Sequence, residues 1–208
     1  MTNYLQQNRP SLTVRGFDVF EGLLGIERQQ KVLDDLRDVV AQAPLFTPTT
    51  SRGKEMSVRM TSAGRFGWVS DEKGYRYQAA HPRGMAWPRI PTSVMEIWRA
   101  IGPKDREPDC CLINFYDGQA RMGLHQDRDE ADFSWPVVSV SLGDDALFRI
   151  GNQMRGGSTE SLWLRSGDVV VMGGDARLTY HGVDRVSAGT SVLLPKGGRI
   201  NITLRVVT

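Results

Sequence analysis

The spacing of hydrophobic positions changes near the middle of this 208-residue chain. In the first half, "GIERQQKVLDDLRDVVAQAP" sets Ile26, Leu33, Leu36 and Val40 at helical spacing, and Pro44 follows. "PTSVMEIWRAIGP" does the same with Val94, Ile97, Trp98 and Ile101 and closes on Gly102-Pro103. Beyond it, "CLINFY", "VVSVSL", "ALFRI", "ESLWLR", "DVVVM" and "RINITLRVV" are short alternating or β-branched runs, punctuated by Gly and Asp at intervals of roughly ten residues, as in an antiparallel sandwich or barrel. The pattern predicts an α+β fold, with N-terminal helices, an intervening segment and a C-terminal β core. No internal repeat or low-complexity tract interrupts it.

In the final run, Arg199, Asn201, Thr203 and Arg205 alternate with Ile200, Ile202, Leu204 and Val206, so one face is polar and the other apolar. A solvent-facing edge strand gives the same alternation. Arginines with Asn and Thr between them, rather than Lys and Glu, favour a ligand-binding face, because a guanidinium grips a carboxylate at fixed bidentate geometry. Asn114 and Tyr116 in "INFY" form a second period-two pair that can reach the same ligand.

Composition sets bounds around this pattern. With 40% hydrophobic and 24% charged residues the chain is an ordinary globular one, long enough for one domain with a real core. No run approaches the ~18 consecutive apolar residues of a membrane span. The start, "MTNYLQQNRPSL", lacks the layout of a secretory signal, so a cytoplasmic protein is expected. The two cysteines, Cys110 and Cys111, are adjacent, which suits buried reduced thiols and neither a disulfide framework nor a CxxC zinc site. A net charge of +2 does not by itself imply a polyanionic partner, but eight Lys/Arg against three Asp/Glu fall between Arg52 and Arg89, leaving +5 there and −3 elsewhere. That window also holds Phe66, Trp68, Tyr75, Tyr77 and Trp87. Cations for phosphates and flat rings for bases are what a nucleic acid site needs, although a solvated strand face over core rings has the same composition.

The stretch "LHQDRDE" places one of three histidines beside several carboxylates. Short acidic runs are commonly solvated loops. Here, however, His125 and Asp127 are two apart, so an extended segment points both to one face, and "YHG" offers His181 as a third ligand. Two histidines and a carboxylate form the facial triad that holds non-haem Fe(II) with open positions, unlike a closed structural zinc site. An open iron site near an arginine clamp points to 2-oxoglutarate, with its keto acid end on the metal, its far carboxylate on Arg205, and O2 taking the remaining position.

The ordered motifs "MSVRMTSAGRFGW", "GYRY", "LINFYDGQARMGLHQDRDE", "PVVSVSLG", "GDVVVMGGDARLTYHGV" and "RINITLRV" resemble the AlkB family of Fe(II)/2-oxoglutarate-dependent nucleic acid dealkylases, in its bacterial alkylated-DNA repair form. They run from about residue 56 to 205; the first fifty residues match weakly. The resemblance implies iron ligands at His125, Asp127 and His181, and 2-oxoglutarate contacts at Asn114, Tyr116, Arg199, Asn201 and Arg205, with Thr203 on the same strand face. It implies a base pocket of Trp68, Tyr75, Tyr77, Asp129 and Arg155. Asp129 would face a cationic lesion; Arg128 and Glu130 are expected to point outward. Phe115 and Met172 depart from the family pattern, which commonly has a basic residue and Trp there, and neither is expected to touch a ligand.

The resemblance further implies a double-stranded β-helix (jelly-roll) core over about 108–208, a nucleotide-recognition lid over about 51–90 and a helical N-terminal extension over about 1–50, all one dioxygenase domain. The implied activity is oxidative demethylation of N1-methyladenine and N3-methylcytosine, with 2-oxoglutarate converted to succinate and CO2 and formaldehyde released. The expected partner is methylated single- or double-stranded DNA, with RNA left open; no membrane partner is expected, and a monomer is. Two rival classes are an oxygenase hydroxylating a small molecule or protein side chain, against which the basic aromatic segment argues, and a non-enzymatic β-barrel binding module, which would need no open triad.

Overall fold

Both helical periods and the β-rich half take the form their spacing predicts, within residues 9–208, which a computed structural model describes. In chain order the strands and helices are β1 (Leu12–Val14), β2 (Phe17–Phe20), α1 (Ile26–Gln42), β3 (Arg59–Gly64), β4 (Gly67–Asp71), β5 (Gly74–Gln78), α2 (Thr92–Ile101), β6 (Cys110–Tyr116) and β7 (Met122–His125). They continue as β8 (Val137–Gly143), β9 (Asp145–Ile150), β10 (Glu160–Leu164), β11 (Val169–Met172), β12 (His181–Ser187) and β13 (Arg199–Arg205), with a single 3-10 turn at Gly174–Ala176. Among the described residues, no helix is long and apolar enough to cross a membrane.

The strands form a seven-stranded sheet in the order β1-β2-β11-β8-β13-β6-β3, a four-stranded sheet β10-β9-β12-β7 and a separate hairpin β4-β5. All pairings are antiparallel. This is the expected jelly-roll core, with one change of boundary. Strands β1, β2 and β3, which the sequence reading leaves in the N-terminal extension and the lid, belong to the larger sheet. At three to six residues they are too short or too irregular in period to announce themselves. Of the segment read as a lid, only β4 and β5 stand apart as a two-stranded unit.

Period-two alternation gives the larger sheet two buried faces. Its outer face packs Val138, Val140, Ile202 and Leu204 against Leu33, Leu36, Val94 and Trp98 of the helices. On α1 the buried stripe is Gln29, Val32, Leu33, Leu36 and Val39. Ile26, expected on that stripe, is 64% exposed because it opens the helix before its first turn closes. The inner face turns toward the smaller sheet around Phe17, Met60, Tyr116, Phe148, Ile150 and Met172.

Strand β13 lies between β8 and β6, so its polar residues face the interior and not water. In the smaller sheet, β12 presses onto β7 at Gly182, where a Cβ would come within 2.5 Å of the Met122 carbonyl oxygen. Only glycine permits that approach, and it sets His181 directly opposite His125 in the register. Adjacent Cys110 and Cys111 are both free and fully buried on β6. Burial raises the Cys110 thiol to about 12, so it stays protonated.

Candidate active site

One cavity of about 360 Å³ opens between the two sheets. At its waist, His125 at the end of β7, Asp127 two residues on, and His181 at the start of β12 bring their ligand atoms within 4.8 Å of one another. The His125 Nδ1 lies 2.9 Å from the Gly123 carbonyl oxygen and the His181 Nδ1 3.0 Å from that of Thr179. Each contact needs a proton on Nδ1 and turns the Nε2 atoms toward Asp127 at 3.6 and 3.7 Å, too far for hydrogen bonds. Burial, aided by the neighbouring His125 and opposed by Asp127, pushes the His181 imidazole down to about 4, so it is a neutral ring at physiological pH. Burial alone would raise the Asp127 carboxyl, but Arg205, both histidines and Arg177 outweigh it and hold Asp127 ionised. Two imidazole Nε2 atoms and a carboxylate, spaced for a metal and not for each other, suit a divalent cation.

Beyond the triad, the inward face of β13 and the paired residues of β6 line the cavity. Arg199 stands opposite Tyr116 and Asn201 opposite Asn114 in the register. Arg199 is 1% exposed, and its guanidinium meets only neutral oxygens, the nearest being Ser141 Oγ at 2.7 Å. Among the described residues no carboxylate pairs with it. Arg199 Nε, Asn114 Oδ1, Thr203 Oγ1 and Arg205 Nε are all buried without hydrogen-bond partners. Each such group costs roughly 1–3 kcal/mol unless a ligand meets it. A row of unpaired donors and acceptors, ending on an unneutralised buried cation, fits a small polar anion that extends away from the metal.

Arg205, expected to clamp the far carboxylate, is committed elsewhere. Its Nη2 pairs with Asp127 Oδ2 at 2.9 Å, and its Nη1 reaches Glu130 Oε1 at 3.1 Å and the Tyr77 hydroxyl at 2.9 Å. Alternation along β13 gave Arg199 and Arg205 the same face but could not say which lay at the metal end.

Glu130 is a second correction. It does not point outward but is buried, with Arg177 Nη2 donating to its Oε2 at 3.0 Å and Tyr77 Oη donating to its Oε1 at 2.5 Å. Residues 126–130 are not a strand, so the inside-outside alternation stops at His125. Arg128 is exposed, as expected. Arg177, which also donates to the Asp127 carbonyl, left no signal in the sequence.

At the cavity mouth, Trp68 on β4 and Tyr75 on β5 stack with ring centroids 5.5 Å apart at 17°. The Trp68 Nε1 donates to Asp129 Oδ2 at 2.8 Å, so the acid after the triad ties the hairpin to the barrel. Arg155 lines the same mouth, its guanidinium 5.4 Å from the centre of the Tyr180 ring. Tyr77 does not line the cavity; it is a strut under the hairpin, gripped by Glu130 and Arg205. Phe115 lies outside the cavity beneath the Arg59 guanidinium, whereas Met172, expected to touch no ligand, is part of the cavity wall. The remaining histidine, His81, is a core residue, 2.8 Å from the Pro44 carbonyl oxygen through Nε2.

Comparison with known proteins agrees with this geometry. The family model described as the 2OG-Fe(II) oxygenase superfamily matches residues 16–205. An alpha-ketoglutarate-dependent dioxygenase AlkB homolog of Caulobacter vibrioides is 50% identical over 198 residues, covering 95% of this chain and 90% of the relative. The alpha-ketoglutarate-dependent dioxygenase AlkB of Escherichia coli is 40% identical over 181 residues, covering 85% and 83%. Among solved structures, OsALKBH1 superposes with a TM-score of 0.81 at 28% identity, covering 94% of this chain and 98% of that one.

The buried carboxylates make a pH prediction. The Glu130 carboxyl, despite the upward push of burial, is held below its ordinary value by Arg205, Tyr77 and Arg177. Its stabilising contribution is therefore complete above the unfolded carboxyl range and disappears as pH falls below about 5. Glu130→Gln, which leaves the buried cluster of Arg205, Arg177 and Asp127 with one uncompensated positive charge, should cost roughly 3–5 kcal/mol at neutral pH and show a shallower acid loss of stability than wild type in urea titrations. Parallel pH curves for the two proteins would refute that role for Glu130.

Proposed function

The chain belongs to the AlkB family within the 2OG-Fe(II) oxygenase superfamily, and on that premise we propose that it demethylates N-alkylated bases in DNA, with His125, Asp127 and His181 holding iron. The observation that carries the reading is the junction, in one cavity, of an open two-histidine, one-carboxylate triad with an aromatic mouth built on a basic segment. Fe(II), 2-oxoglutarate and O2, the reactants of the superfamily, supply the oxidation of the N-methyl carbon, with the cosubstrate leaving as succinate and CO2 and the methyl group as formaldehyde.

The chain's own residues orient and select. Nδ1 hydrogen bonds to backbone carbonyls fix the tautomer and ring plane of both histidines. Arg205, with Arg177 beside it, holds Asp127 ionised. Arg199, buried and lacking an ion pair, receives the far carboxylate of 2-oxoglutarate, next to Tyr116 and Ser141, while Asn114, Asn201 and Thr203 line its carbon chain. This replaces the sequence-based choice of Arg205. The β4–β5 hairpin serves as the nucleotide lid. A target base must leave its stack to reach the triad, and Trp68 and Tyr75 provide flat surfaces to receive it. N1-Methyladenine and N3-methylcytosine carry a positive charge that ordinary bases lack, and an aromatic face with the Asp129 carboxylate beside it favours a cation. The substrate is methylated DNA, single- or double-stranded, with methylated RNA second, and the protein acts as a monomer.

Arg199→Lys keeps the charge but loses the planar fork. It should raise the 2-oxoglutarate concentration needed for half-maximal succinate formation by at least about tenfold and leave iron affinity close to wild type. Unchanged cosubstrate dependence would return the clamp to another residue.

Asp129→Asn tests base recognition on oligonucleotides carrying single methylated bases, followed by mass spectrometry. Activity on cationic N1-methyladenine and N3-methylcytosine should fall more than on neutral N1-methylguanine or N3-methylthymine. An equal fall on both classes would mean that Asp129 serves only to tie Trp68. Wild-type enzyme inert on every methylated oligonucleotide would remove the functional reading itself.

A further inference from the structure

The β1–β2 hairpin turns through Arg15 and Gly16, both at positive φ, 48° and 81°. Two-residue hairpins of this kind favour Asn-Gly, and a long side chain in the first position adopts that backbone only against a steric cost. The arginine side chain compensates through distant contacts. Its Nε donates to Glu160 Oε1 at 2.8 Å, and its Nη1 lies within 3.0 Å of the Gly151 carbonyl, Asn152 Oδ1 and the Ser158 carbonyl. Its Nη2 donates to Ser158 Oγ at 3.1 Å. One guanidinium thus spans both arms of the loop between β9 and β10.

That loop, "GNQMRGGSTE", has little to order it locally. Gly156 and Gly157 both take positive φ, and Met154 is 81% exposed. Its root is held independently, by backbone bonds from Gly151 N to the Tyr180 carbonyl and from Tyr180 N to the Asn152 carbonyl at 2.7 and 3.0 Å. Gln153 is tied to the barrel by its Nε2, which donates to the Asp175 carbonyl at 2.6 Å, and by its carbonyl, which accepts from Gln126 Nε2 at 3.2 Å. The return arm from Gly156 to Ser158, which closes the loop behind Arg155 at the cavity mouth, is held by Arg15 and by the Asn152 amide that Arg15 grips.

We propose that Arg15 is a positioning residue for nucleic acid recognition, which fixes the β9–β10 loop so that Arg155 meets the substrate strand already in place. An ordered cation binds without the entropy loss that a mobile one incurs. The inference rests on methylated nucleic acid being the substrate.

The test is a double-mutant cycle read as KM for a methylated oligonucleotide, with succinate formation in the absence of DNA measured alongside. Arg15→Gly suits the backbone of the turn and removes only the side chain. It should raise KM roughly tenfold, within the range of coupling seen between residues that share a network, and leave DNA-independent succinate formation unchanged. In an Arg155→Ala background the same change should add little. Asn152→Ala, which spares the hairpin and removes the shared acceptor, should reproduce the rise in KM and serves if Arg15→Gly does not fold. Unchanged KM in a folded variant, or effects that multiply in the double mutant, would overturn the proposal while leaving the demethylase reading intact. A wild-type enzyme without activity on methylated oligonucleotides would overturn both.

Discussion

The pairing of Asp127 with Arg205, 2.9 Å apart and almost wholly buried, is the constraint on which the site depends. A carboxylate in an interior cavity is tolerated only if charge and hydrogen bonds compensate it. Arg205 alone would merely move the problem, since it is itself buried. The chain resolves it with two acids and two bases: Asp127 and Glu130 against Arg205 and Arg177. The cluster is neutral as a whole and reaches three parts of the fold, namely β13, the segment after β7 and the turn before β12. Through Tyr77 it extends to strand β5. The β4–β5 hairpin is therefore fastened to the same charges that keep Asp127 ionised.

This arrangement explains a division of labour between neighbouring acids. Asp127 faces the metal position, Asp129 bonds Trp68 at the mouth, and Glu130 secures Tyr77 beneath the hairpin. Three carboxylates within four residues thus join the barrel to both strands of the β4–β5 hairpin and to the triad. Arg199 lies outside the balance, a buried cation left over, and a dicarboxylate cosubstrate is the anion that suits it. At the rim, the loop bearing Arg155 is bonded to the far N-terminal hairpin through Arg15.

What could be read in the sequence follows from periodicity. The inward face of β13, the "HQD" ligands and the helical stripe around Leu33 and Leu36 were legible because regular elements carry their orientation in their spacing. Glu130 was not, because the chain leaves strand geometry at His125. Arg205 and Arg199 were legible as a pair but not as individuals, since alternation records a face and not a distance from the metal. Arg177 and Arg15 act from a short turn and a hairpin tip, and their roles arise from contacts 47 and 136 or more residues away. Tyr77 shares the hairpin face of Trp68 and Tyr75 in the register, but contacts with Glu130 and Arg205, remote in sequence, hold its hydroxyl and make it a brace.

The proposed chemistry runs on iron held by His125, Asp127 and His181. Its most direct test is an anaerobic titration of the apoprotein with Fe(II) in the presence of 2-oxoglutarate, followed by the visible charge-transfer absorption of the ternary complex, in wild type and in Asp127→Ala. Saturation is expected at one iron per wild-type chain, with no such band in the variant, whose retained secondary structure is checked by circular dichroism. A folded Asp127→Ala protein that binds iron and develops the same absorption would contradict it.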